Sequence, residues 1–167
     1  DLNAAVRRVL LGENKVCGLT REQDAQAAYE AGAIYGGLIF VDSSPRAVSE
    51  EQARKVIAAA PLSYVGVFRN ADIADVAAKA DALSLSAVQL HGDEDQSYID
   101  ALRTALAPQV QIWKAQSVGD TLPSRNLNHV DKYVLDNGQG GTGQRFDWSL
   151  LNGEKLDNVL LAGGLSP

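Results

Sequence analysis

The only cysteine of this chain falls at a junction, in 14-NKVCGLTREQDA-25, where a short apolar run meets a glycine and then a capped helical pattern. A thiol at the end of a strand, near basic groups, can serve as a base or a nucleophile, because the thiolate is the reactive form. The alternative for Cys17 is an inert small core residue. Asp136, in 133-YVLDN-137, ends another apolar run and can act as a proton donor or as an N-cap of the following turn. Arg46, in 43-SSPRAVSE-50, follows Pro45, which stiffens the loop. A planar guanidinium on such a loop suits recognition of a carboxylate. His91, in 89-QLHGDE-94, is either a hydrogen-bonded strand-end histidine or a site residue. Gly163 and Gly164 close the last apolar run, where backbone amides can meet a phosphate. The stretch 137-NGQGGTGQRFDW-148 is rich in glycine, so its backbone can approach a ligand closely. No grouping of His, Cys, Asp and Glu has metal-ligand spacing, and no metal is expected.

These residues need a frame, and the apolar runs supply one. Runs rich in Val, Ile, Leu and Tyr recur at 15-KVCGL-19, 35-YGGLIF-40, 64-YVGVF-68, 87-AVQLH-91, 110-VQIWKA-115, 132-KYVLD-136 and 158-NVLLAG-163. None alternates cleanly, which predicts strands buried on both faces, as in parallel sheets. Between them lie helical patterns. The segment 21-REQDAQAAYEAGA-33 puts Ala25, Ala28, Tyr29 and Gly32 on one face, and 49-SEEQARKVIAAA-60 opens with Ser49 and Gln52 as a capping box. Pro61 stops that helix. Further helices are predicted over 72-DIADVAAKADALS-84 and 94-EDQSYIDALRTALAP-108.

Strands alternating with helices predict an α/β parallel fold. An open dinucleotide-binding sheet would want a glycine-rich turn after its first strand, and 16-VCGLT-20 has a single glycine. The candidate residues instead sit at the C-terminal ends of many strands, as in a TIM (β/α)8 barrel. Seven strands are legible, so the barrel is expected to be incomplete, lacking strand 8 and the last helices.

Composition narrows the partners. With 46% hydrophobic and 22% charged residues the chain reads as globular, and its net charge of −6 argues against nucleic acid as the main partner. An anionic small molecule would need local capture by amides and a few placed basic residues. A single cysteine fits a reducing cytoplasm, and no apolar run is long enough to span a membrane. The leading 1-DLNAAVRRVLLGEN-14 lacks the order of a signal peptide.

Taken in order, KVCGLT, FVDSSPR, YVGVFRN, VQLHGDE, VLDNGQGGTGQRFDW and LLAGGLSP resemble the phosphoribosylanthranilate isomerase family of TIM-barrel enzymes in tryptophan biosynthesis. The resemblance covers residues 13–167 and implies a barrel domain there. Residues 1–12 resemble a linker or helix tail from a preceding indole-3-glycerol-phosphate synthase domain, as in bifunctional bacterial proteins. The implied reaction is an Amadori rearrangement of N-(5-phosphoribosyl)anthranilate, a small phosphorylated substrate, without any cofactor. On the family's pattern Asp136 matches the general acid and Cys17 the general base. Arg46 matches the residue gripping the anthranilate carboxylate, and Gly163 and Gly164 match part of a phosphate cradle. His91 lies on a shared motif and is assigned to the pocket wall. The pattern also implies an eighth strand, with a second phosphate-binding loop, beyond Pro167.

Two other readings stay open at this point. One is a non-catalytic barrel fragment that assembles with a missing C-terminal piece or another copy. The other is a different phosphate-binding barrel enzyme acting on a sugar phosphate.

Overall fold

The structure is a computed structural model that describes residues 2–137 and 147–163, with side chains from residue 5 onward. Seven parallel strands follow one another as β1 (Lys15–Cys17), β2 (Tyr35–Ile39), β3 (Ser63–Phe68), β4 (Ala87–Leu90), β5 (Gln111–Ser117), β6 (Lys132–Asp136) and β7 (Val159–Leu161). Their order in the sheet is the order of the chain, β1 to β7, without a reversal. A doubly wound sheet reverses its strand order at a switch point, whereas a barrel is wound in one direction only. The fold is therefore an incomplete (β/α)8 barrel, as the strand-end residues predict. Among the described residues β1 and β7 are the edges of the sheet.

The sheet curls on itself. Tyr35 on β2 meets Trp113 on β5 edge to face, with ring centroids 4.9 Å apart and planes at 82°. Strands three apart in a flat sheet lie about 14 Å from each other, so this contact needs strong curvature. The same holds for Lys15 on β1, which donates 2.7 Å to Gln89 Oε1 on β4. At the strands' starts, Glu13 accepts from Tyr35 Oη at 3.2 Å and also from Lys132 Nζ on β6.

The central strands β2 to β6 are buried on both faces by two separate cores, whereas the edge strands β1 and β7 are only partly covered. The inner one gathers Tyr35, Val65, Ala87, Trp113, Ala115 and Val134. The outer one packs Leu38, Tyr64, Phe68, Val88, Leu90 and Ile112 against the helices. That double burial is why no run alternates in hydropathy.

The helices are α1 (Leu2–Leu11), α2 (Glu22–Glu30), α3 (Glu50–Ala59), α4 (Ile73–Ala82) and α5 (Gln96–Ala105). Val76 and Ala80 of α4 and Ile99 and Leu102 of α5 form the buried stripes that their spacing predicts. Ala60 is extended, at φ −151° and ψ 141°, because the proline that follows excludes the helical region there.

Three local expectations are corrected. At α3, Ser49 Oγ does accept from Gln52 N, at 3.2 Å, but the Gln52 side chain donates to Thr20 O at 2.8 Å instead of returning to Ser49. Half of the capping box forms, and the other half ties α3 to the loop after β1. Glu94 does not open α5; Asp95 caps that helix and Glu94 turns inward. Strand and helix also stop alternating after β5, since residues 118–131 hold no helix. Gly119 and Pro123 break that segment, and it has no apolar stripe of helical period.

α1 packs across the strands' N-terminal ends. Arg7 donates to Tyr29 O at 2.8 Å and stacks over the Tyr29 ring at 4.1 Å, while Arg8 lies over Tyr35 at 5.3 Å. Val9 and Leu10 face outward, at 85% and 74% exposure.

Candidate active site

Four of the singled-out side chains stand at the C-terminal mouth of the strands. Cys17 ends β1, with an exposed thiol. Gly18, at φ +83°, then turns the chain, and its amide donates to Gly37 O at 2.9 Å. Arg46 lies over this turn and donates from Nη1 to Cys17 O at 3.1 Å. A Cβ on Gly18 would come within 2.7 Å of that guanidinium nitrogen. Glycine is thus required twice here, for the backbone angle and for Arg46 to lie flat.

On the other side, Asp136 ends β6 and is 7% exposed. Its Oδ2 is 3.4 Å from His91 Nε2, just past the end of β4. His91 Nδ1 in turn faces Gln89 Nε2 at 3.4 Å. The amide can donate to Nδ1, which leaves the ring proton on Nε2, toward Asp136. His91 was expected only on the pocket wall; the structure also sets it against the carboxylate.

Lys15 completes a continuous line of contacts. Its Nζ is 3.4 Å from Cys17 Sγ and 2.7 Å from Gln89 Oε1. The line runs Cys17, Lys15, Gln89, His91, Asp136, from β1 to β6 across the inner face. Sequence reasoning missed Lys15 and Gln89. The signal was present, since each lies two residues before a singled-out residue and so shares its face of the strand.

The loops at this mouth are held by a buried ion pair that sequence reading also missed. Glu94 accepts from Lys114 Nζ at 2.7 Å, from Asn70 N at 2.7 Å and from Gly92 N at 2.9 Å. Lys114 donates also to Gly92 O at 2.7 Å. Asn70 holds a left-handed φ of 49° and accepts from Asp93 N at 2.8 Å, and a Cβ on Gly92 would overlap its side chain. Burial alone would push the Glu94 carboxyl up. The hydrogen bonds from Lys114 and Asn70, with the Lys114 charge, outweigh burial and hold it below its ordinary value.

A cavity of about 560 Å³ opens beside these loops, lined by Arg69, His91, Gly92, Lys114, Ser117 and Pro123 among others. Another, of about 670 Å³, lies at the opposite end beside Arg8, Ser86 and Gln111. Chemistry in barrels of this kind is done at the strands' C-terminal ends, where the first cavity lies and the second does not. Gly163 follows β7 at φ +81°. Gly164 and the glycines of 140-GGTG-143 lie outside the described residues.

The N-(5'-phosphoribosyl)anthranilate (PRA) isomerase family matches residues 14–167. The chain belongs to this family. It is 76% identical over 166 residues to a protein of Salmonella typhi named "Tryptophan biosynthesis protein TrpCF", covering 99% of this chain and 37% of that protein. A Yersinia pestis protein of the same name is 71% identical over 167 residues, covering 100% and 35%. The chain thus spans little more than a third of these relatives.

Among solved structures, the phosphoribosyl anthranilate isomerase of Thermus thermophilus superposes with a TM-score of 0.78 at 28% identity, over 93% of this chain and 78% of that one. An isomerase solved in complex with reduced 1-(o-carboxyphenylamino)-1-deoxyribulose 5-phosphate gives 0.72 at 31% identity, over 92% and 76%. Both share the PRA isomerase barrel described above.

Proposed function

We propose that this chain catalyses the Amadori rearrangement of N-(5-phosphoribosyl)anthranilate to 1-(2-carboxyphenylamino)-1-deoxyribulose 5-phosphate. The observation that carries this reading is the line of contacts that joins a thiol at the end of β1 to a carboxyl at the end of β6. An aldose-to-ketose rearrangement needs one proton donor and one proton acceptor on a single substrate, and those two groups provide them.

Asp136 protonates the furanose ring oxygen as the C1–O bond breaks, which opens the ring to a protonated Schiff base. Cys17, as thiolate, then takes the C2 proton. The C–H electron pair becomes the C1–C2 double bond, and the iminium electrons settle on nitrogen. The enolamine tautomerises by losing its hydroxyl proton and gaining one at C1, which leaves a ketone at C2. Solvent returns the proton from Cys17 to Asp136. C2 is oxidised as C1 is reduced, so the reaction is balanced within the substrate and uses no cofactor. Arg46, beside Cys17, holds the anthranilate carboxylate, and Gly163 with Gly164 contributes amides to the phosphate.

The names of the longer relatives support a second part of the reading. Residues 13–167 are the isomerase barrel of a fused protein, and residues 1–12 lead in from an indole-3-glycerol-phosphate synthase domain. The outward Val9 and Leu10 of α1 fit such a neighbour. The setting is cytoplasmic.

Product analysis tests the assignment. NMR of the whole protein mixed with phosphoribosylanthranilate is expected to show a ketone at C2 in a product of unchanged mass. Release of free anthranilate in its place would mean hydrolysis and would defeat the reading.

A further inference from the structure

Lys15 and Cys17 lie two residues apart on β1, so both side chains leave the same face of the strand. That face looks inward over Gly37 of β2, where a Cβ would lie 2.8 Å from Cys17 Sγ and 3.1 Å from Lys15 Cε. The missing side chain at Gly37 is what gives both residues room. The ammonium is anchored from across the interior, by the Oε1 of Gln89, a residue that is 3% exposed. A second donor faces Cys17 Sγ at 3.4 Å. Among the described residues no carboxylate forms an ion pair with Lys15, which leaves the sulfur as the group set to carry its countercharge. Arg46, the other cation at this turn, is engaged on the Cys17 backbone carbonyl instead. Of the other charged groups on the strands across the sheet, Lys132 is paired with Glu13, Lys114 is paired with Glu94, and His91 with Asp136 lies beyond Gln89.

We propose that Lys15 is a positioning residue for the base: its ammonium, tethered by Gln89, holds the Cys17 sulfur as the anion and aims it into the mouth of the barrel. A cation beside a thiol favours the thiolate, and a tethered one also fixes where the sulfur points. In the proton transfer, the C2 proton goes to sulfur and the C–H electron pair discharges the iminium. Thiolate and iminium charges vanish together, while Lys15 keeps its own. The role in turnover rests on the isomerase reading, but the state of the thiol does not.

The test is alkylation of Cys17 by iodoacetamide at pH 7 in the whole protein, followed by peptide mass spectrometry. Lys15→Met is expected to slow alkylation by about tenfold, while Lys15→Arg stays near the unaltered rate. If Lys15→Met does not fold, Gln89→Leu, which removes the tether and keeps the lysine, is expected to slow alkylation in the same direction. An unchanged rate in a folded Lys15→Met, or in Gln89→Leu where that variant stands in for it, overturns the proposal. So does equal slowing in Lys15→Arg, since a cation is still present there. Turnover measured beside it separates the two ideas. Slowed alkylation in a protein that does not isomerise phosphoribosylanthranilate would leave Lys15 as the thiol's partner and end the isomerase reading.

Discussion

Asp136→Asn lowers the turnover of phosphoribosylanthranilate by about 10²- to 10⁴-fold, the range that one general acid commonly contributes. Asparagine has the same shape and no net charge, so the end of β6 keeps its place. Val118 N still donates to the backbone carbonyl of residue 136, at 2.7 Å in the present structure. The variant lacks a proton that it can release to the ring oxygen. The loss is therefore expected in kcat, with KM little changed, because Arg46 and the phosphate-binding groups proposed to hold the substrate are unaltered. Steady-state kinetics on a variant with an unaltered circular dichroism spectrum checks this. A loss below tenfold would remove Asp136 from the acid role.

Glu94→Gln destabilises the fold by about 3–5 kcal/mol, the usual cost of breaking a buried pair from one side. The Lys114 side chain is 7% exposed and the Glu94 side chain 1%. Without the carboxylate, the lysine charge stays buried with only neutral acceptors, Gly92 O and the glutamine amide oxygen, and no countercharge. The glutamine amide also turns one donor toward groups that are donors themselves. Urea unfolding of variant and unaltered protein measures the loss, and a difference under about 1 kcal/mol, the scale of an exposed pair, would contradict it. The pair also has a pH signature. Glu94 is held below its ordinary value of 4.5 in the folded state, despite the burial that pushes it up. Its stabilisation is thus fully present above that ordinary value and lost as pH falls through the lower folded one. Glu94→Gln lacks this acid-limb component, so the two stability curves converge as pH drops below 4.5. The loops after β3 and β4 carry Arg69 and His91, so the same variant also loosens the mouth of the barrel.

Much of this architecture is legible in the chain because parallel strands leave a plain trace. β2 to β6 are buried on both faces, as Tyr35–Ile39 is, and so read as unbroken apolar runs. The barrel follows from where the polar residues fall, at one end of successive runs, and the strand order bears that out. The site is legible to a lesser depth. Cys17, Asp136, Arg46 and His91 each end or follow a strand and do stand at one mouth. Their partners are harder to see, because contacts between β1 and β4 or β4 and β6 depend on how tightly the sheet curls. That curvature is set by interior packing such as Tyr35 on Trp113, and no local pattern encodes it. Glu94 shows the same limit. Beside Asp95 it reads as the polar start of a helix, and only the approach of Lys114 from the next strand turns it inward. Gln52 could have returned to Ser49, but in the fold its side chain donates to the carbonyl of Thr20 instead.

The most direct test of a thiol at the end of β1 taking the C2 proton is the fluorescence decay of phosphoribosylanthranilate in the unaltered protein beside Cys17→Ala. The unaltered protein is expected to consume the substrate, and Cys17→Ala to be slower by about 10²-fold or more. Consumption by Cys17→Ala within about tenfold of the unaltered rate, too small a loss for a general base, or none by the unaltered protein, would contradict it.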